Sequence, residues 1–128
     1  MYTYSFEKLE VWVEAKELSK SIYHITKQFP EDEKFGLTSQ LKRASISICS
    51  NIAEGSARKT NKDKAHFTVM AFSSAVEVLN QIIIAHDLKF INDLEYKSLR
   101  LQIESITNKM NYLDAERTRY QNNRNWFV

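Results

Sequence analysis

Asp63 and His66 stand three residues apart, the spacing at which one helix turn could offer a carboxylate and an imidazole to a metal ion. A di-metal carboxylate bundle needs a Glu-x-x-His pair on each of two helices with further glutamates beside them, and no second copy is present here. Asp63 also has a simpler role. In Thr60-Asn61-Lys62-Asp63 it replaces the Glu or Gln of a capping box, which leaves His66 on a polar strip. His86-Asp87 reads as surface chemistry at a helix C-terminus, where a histidine meets the negative end of the helix dipole. Cys49 has no histidine on its own helix face to draw off its proton, so it reads as a small packing residue between Ile48 and Ser50. Serines 45, 47, 50 and 56 lack a base partner, and no glycine-rich phosphate loop is present; Gly55 marks a close helix approach. The residue types therefore offer no catalytic, cofactor-binding or metal-binding set, and a non-enzyme is expected.

Two sets of side chains keep chemical interest. Arg43, Ser47, Asn51 and Glu54 recur along one helix strip, continued by Arg58. Glu54 and Arg58 can pair at i, i+4, and Ser47 and Asn51 can bond across a helix or subunit boundary. A register-fixing hydrogen-bond network is the expected role, with an RNA or ligand contact as the alternative. The second set is basic. Between Lys42 and Lys64, six cations (Lys42, Arg43, Arg58, Lys59, Lys62 and Lys64) face only Glu54 and Asp63. Clustered Lys and Arg bind phosphates with counterion release, so these six are candidate nucleic-acid-binding residues; an ordinary solvated corner is the alternative. A net charge of +2 gives the whole molecule no strong field.

The elements that must carry these residues are helices. The chain of 128 residues has 2 glycines and 1 proline, too little punctuation for a many-stranded fold. The first helix is expected over residues 6–29, capped by Ser5 and stopped by Pro30. A short acidic linker follows, with Phe35 placed to plug one end of the fold. Asp32 or Thr38 would cap the second helix, which ends near residues 58–60. A third helix is expected over 61–88 and a fourth over 92–114. Residues 6–114 would form an all-α, up-down-up-down four-helix bundle, and 115–128 a C-terminal tail, rich in Asn and Arg, in which Trp126 and Phe127 could dock on a neighbouring surface.

The second and third helices carry more apolar surface than one core can use. At about 100° per residue, Leu37, Leu41, Ala44, Ile48 and Ile52 share one side, while Ile46, Cys49, Ala53 and Ala57 lie roughly opposite. In the third helix Ala65, Val69, Phe72, Val76 and Ile83 form a second face beside the one through Ala71, Ala75, Val78 and Ile82. A helix apolar on nearly all sides is buried on nearly all sides. Ile46, Cys49, Ala53, Ala57, Val69, Phe72, Val76 and Ile83 are thus the expected interface of a homo-oligomer, and Ile46→Asp or Val76→Asp should leave a helical monomer. The lone cysteine excludes an intrachain disulfide. The N-terminus lacks the basic start and apolar core of a signal peptide, and no apolar run reaches bilayer length; a cytoplasmic protein without a membrane partner is expected.

Phe6, Leu9-Glu10-Val11-Trp12, Ala15, Leu18, Ile22-Tyr23, Phe29-Pro30, Phe35-Gly36-Leu37, Gln40-Leu41, Arg43-Ala44 and Ser47-Ile48, with Asn51-Ile52-Ala53-Glu54-Gly55 and then Ala71, Ser74 and Glu77, carry a further signal. This pattern resembles the four-helix-bundle proteins encoded in intervening sequences of bacterial 23S ribosomal RNA genes, over about residues 6–113. Cys49 stands where proline is common in that pattern. The resemblance implies a bundle assembling as a homopentameric ring and implies no catalysis. The similar accessory protein of diversity-generating retroelements is a basic pentamer that assists a reverse transcriptase. Structured RNA or a nucleic-acid-processing protein is the partner expected by that analogy, and a protein-binding scaffold without a nucleic-acid role is the alternative.

Overall fold

Helix boundaries in this chain trace to local hydrogen bonds. A computed structural model describes residues 1–118, and among these the chain is all-α, with helices α1 (Glu10–Ile25), α2 (Leu37–Ser56), α3 (Asn61–Asp87) and α4 (Asp93–Thr118). Ser5 opens only a 3₁₀ turn, Ser5–Lys8. Glu7 accepts the Tyr4 N–H at 2.8 Å, and an extended Leu9 delays α1 to Glu10. At the far end Thr26 turns its hydroxyl onto the Ile22 carbonyl at 2.8 Å, a local bond of the kind that bends helices. The chain tightens into a 3₁₀ turn at Thr26–Gln28, and Phe29 is extended ahead of Pro30. α1 is therefore shorter at both ends than the span 6–29.

Neither Thr38 nor Asp32 caps α2. Its N-cap is Gly36, and Glu33 reaches forward to accept the Leu37 N–H at 3.2 Å. A Cβ on Gly36 would lie 3.1 Å from that same carboxylate oxygen, so glycine leaves Glu33 room to cap. Thr60 does cap α3, accepting the Asp63 N–H at 3.1 Å. α4 opens on a reciprocal box in which Asn92 and Glu95 each accept the other's backbone N–H at 2.8 Å. It continues past residue 114 to Thr118, into the stretch assigned to the tail; Trp126 and Phe127 lie outside the described residues.

The helices pack in cyclic order, α1 on α2, α2 on α3, α3 on α4 and α4 on α1. One core joins them through residues such as Leu18, Ile22, Leu41, Ile48, Val78, Ile82, Ile106 and Met110. α3 brings Ala71, Ala75 and Ala85 to that core, and such small contacts let helix axes approach. Phe35 does not plug the fold, being 89% exposed; Phe29 and Phe90 close that end instead, ring centroids 5.4 Å apart. Ala65, expected on the outward face of α3, is buried, as is Thr68 one turn on, so the first turns of α3 face inward along a line the outward stripe shares. α3 also overturns the expectation about apolar runs: by length and composition it is long and apolar enough to cross a bilayer.

Candidate functional site

Cyclic packing puts the α1/α2 seam and the α3/α4 seam on opposite flanks, and this divides the expected interface. Ile46 and Cys49 line a groove between α1 and α2, and Ala53 is half-buried on the same side of α2. Phe72 and Val76 line a groove between α3 and α4 with Leu79 and Ile103. Val69 is half-buried and Ala57 exposed. The outer surface of α3 carries Met70, Val76, Ile83 and Ile84, all exposed.

The polar strip becomes an α2–α3 tie. Ser47 and Ser74 hydroxyls meet at 2.8 Å, and Asn51 donates to the Ser47 carbonyl at 2.9 Å and to its hydroxyl at 3.1 Å. Glu54 takes its place through Arg58, at 2.9 Å. Arg43 is exposed on the same side of α2.

The six candidate cations do not form one cluster. Lys42 and Arg43 lie on the second turn of α2, whereas Arg58, Lys59, Lys62 and Lys64 gather at the α2–α3 corner, about 25 Å away along the helix. Arg58 is already engaged twice, by Glu54 and over the Phe67 ring at 4.5 Å. Lys42 lies over Tyr23, 4.9 Å from the ring centroid, in the α1/α2 groove of about 700 Å³. There it joins Lys16, Lys20 and Lys27 of the α1 side, with Lys16 over Trp12 at 5.1 Å. The α1 lysines stand outside the six candidate cations, because each alone reads as an ordinary surface charge of an amphipathic helix. The signal was present in the period: Trp12, Lys16, Lys20, Tyr23 and Lys27 fall on one helix face.

The other reactive side chains are absorbed structurally. His66 stands exposed, edge-on to Phe67 at 5.4 Å, and among the described residues no three His, Cys, Asp or Glu side chains come together as metal ligands. His86 meets Asp93 rather than Asp87, at 2.7 Å, and stacks on Tyr96 at 4.2 Å. Cys49 Sγ is 3.6 Å from the Ser19 hydroxyl; burial pushes the thiol up, against the hydrogen bond from Ser19, and so away from the reactive thiolate. Between α1 and α4, Glu14 accepts a hydrogen bond from Ser105 and pairs with Lys109 at 2.8 Å. Burial pushes the Glu14 carboxyl up, but the hydrogen bonds from Lys109 and Ser105 outweigh it and hold the group below the usual carboxylate range.

A family model described as 23S rRNA-intervening sequence protein matches residues 7–112. The chain belongs to this family. The matched region runs from the 3₁₀ turn before α1 through most of α4, so it takes in both grooves and the α2–α3 tie. The fold resembles a crystal structure of a protein of unknown function from the S23 ribosomal protein family of Bacteroides thetaiotaomicron, with a TM-score of 0.74 at 20% identity over 81% of this chain and 97% of that one. No curated protein matches the chain. Neither family description nor structural relative names a catalytic activity.

Proposed function

We propose that this chain is a non-enzymatic, cytoplasmic homo-oligomer, an up-down-up-down bundle repeated in a closed ring, that contacts RNA through its basic surface. Five copies is the number the family resemblance implies. Contacts between helices support the topology. Gln40 meets Gln81 and Ser47 meets Ser74, so numbers rise along α2 as they fall along α3. Ser19 with Cys49 and Tyr23 with Lys42 repeat the pattern for α1 and α2.

The observation that carries the assembly is the outer surface of α3, apolar yet exposed at Met70, Val76, Ile83 and Ile84. Patches of that kind mark interaction sites. A bilayer fits this surface poorly, because Glu77, Asn80 and Asp87 interrupt it and a charge within a membrane costs several kcal/mol. The α1/α2 flank presents a different, basic surface, so the two flanks are not equivalent; a heterologous contact made by α3 outside the α1/α2 groove gives a ring where its rotation closes, and closure is the form the family resemblance favours. The RNA contact rests on the basic groove and corner together. Light scattering should give a multiple of the 15.0 kDa chain, and affinity for an RNA hairpin should fall steeply with salt. A monomer would overturn the assembly; an oligomer indifferent to RNA would leave a protein-binding scaffold.

A further inference from the structure

We infer that the α1/α2 groove is a track for single-stranded RNA, with bases stacked on Trp12 and Tyr23 and phosphates held by Lys16, Lys20, Lys27 and Lys42. The inference rests on the RNA-contact reading above and names the surface that performs it. Both rings border the groove, separated by about 16 Å along α1. Each has an ammonium over its face, Lys16 at 5.1 Å and Lys42 at 4.9 Å from the ring centroids, on a flexible stem that lets an arriving base displace it from the ring toward the base's own phosphate. That pairing is what a nucleotide in an unstructured strand needs, a π-face for the base and a cation for its phosphate. Bases held in a duplex keep their faces stacked on one another, so only an unpaired strand can use the rings.

Charge separates this occupant from a second copy of the chain. The four lysines face little acid: Glu17 is already held by Lys20 at 3.3 Å. Seating the outer surface of α3 from a neighbour here would bring at most Glu77 and Asp87 to four ammoniums, leaving part of the positive charge stripped of water and unpaired, an unfavourable exchange. Phosphates supply the missing charge. Exposed Ile46 and half-buried Cys49 give the groove an apolar wall against which a base edge can lie.

The test uses the full chain and a fluorescein-labelled oligouridylate of about 20 nucleotides, read by anisotropy across a salt series. Tyr23→Leu should weaken binding about tenfold. Replacing Lys16, Lys20, Lys27 and Lys42 with Gln should flatten the slope of log affinity against log salt by about 3. Both variants should keep the helical circular dichroism and the mass of the parent. In a Trp126→Phe background, which leaves Trp12 as the remaining tryptophan, the oligonucleotide should quench fluorescence. Parental affinity and slope in both variants would overturn the track alone, as would a loss of assembled mass, which would make the groove a subunit contact. Groove-dependent capture of polyglutamate in place of the oligonucleotide would also overturn it. A parent that binds neither the oligouridylate nor the hairpin overturns the RNA reading itself.

Discussion

Val76→Asp and Ile46→Asp are chemically alike, yet the structure separates their outcomes. Val76 is 47% exposed and Ile46 44% exposed in the single chain, so in either place an aspartate keeps most of its water. The cost to the isolated fold is about 1 kcal/mol or less, mainly helix propensity and lost partial burial. In an assembly sealed by the outer surface of α3, the carboxylate introduced by Val76→Asp would be buried without a partner at every contact. An uncompensated buried charge costs about 3–5 kcal/mol, which raises the dissociation constant of each contact by roughly two to three and a half orders of magnitude. Size-exclusion chromatography with light scattering should therefore show Val76→Asp as a helical monomer at micromolar concentration, with a thermal midpoint set by its own core. Ile46→Asp should keep the assembled mass, because Ile46 lies on the opposite flank, and should weaken RNA binding by placing a negative charge beside Lys42. An intact Val76→Asp oligomer would refute the α3 contact. A monomeric Ile46→Asp variant would return the α1/α2 groove to the interface.

The remaining expectations concern the fold that holds these surfaces. Glu14→Gln should lower the thermal midpoint at neutral pH. The Glu14 carboxyl is held low, so its contribution is present above the usual carboxylate range and lost as pH falls through the lowered value. Lys109 is pushed up by its hydrogen bond to Glu14, so its part is full below the usual lysine range and lost as pH rises through the raised value. Parent and variant melts should thus converge in acid and again in strong alkali. Ser47→Ala and Ser74→Ala should each cost about 1 kcal/mol in denaturant unfolding, and the double variant less than twice that, since both remove the same 2.8 Å bond. Asn92→Ala removes one half of the α4 capping box and should cost about 1 kcal/mol, read as a lower urea midpoint with an unchanged m-value.

Where one residue type dictates one backbone outcome, the sequence is legible. Thr60 and Asp63 announce the start of α3, found as expected, and the 3-4 spacing of Leu99, Ile103, Ile106 and Met110 coincides with the buried face of α4. Misjudged ends depend on competition among several local bonds. Ser5 and Thr38 are good caps in isolation, but Glu7 and Glu33 hold the amides that decide those turns. The Thr26 back-bond ends α1 before proline can. Phe35 fails for a related reason: the Glu33 cap orients the residues before Gly36, and the aromatic at position 35 is left pointing to water with Lys34 across its ring at 5.7 Å.

Surplus apolar residues are visible in a helical wheel, but a wheel does not say which neighbour each side meets. Ile46 and Val76 are equivalent as excess apolar side chains until packing order assigns one to the α1 side and the other to the α4 side. The same ambiguity hid the lysines. A lysine on an amphipathic helix is a solubility residue by default, and Lys16, Lys20 and Lys27 acquire a shared role only when α2 brings Lys42 across to the ring of Tyr23. Local sequence thus carries the two rings and their α1 cations in full, whereas the groove that makes them one surface is a product of tertiary packing. Substituting Lys42 alone therefore tests that surface most sharply, since it removes the α2 contribution while leaving every α1 residue of the stripe in place.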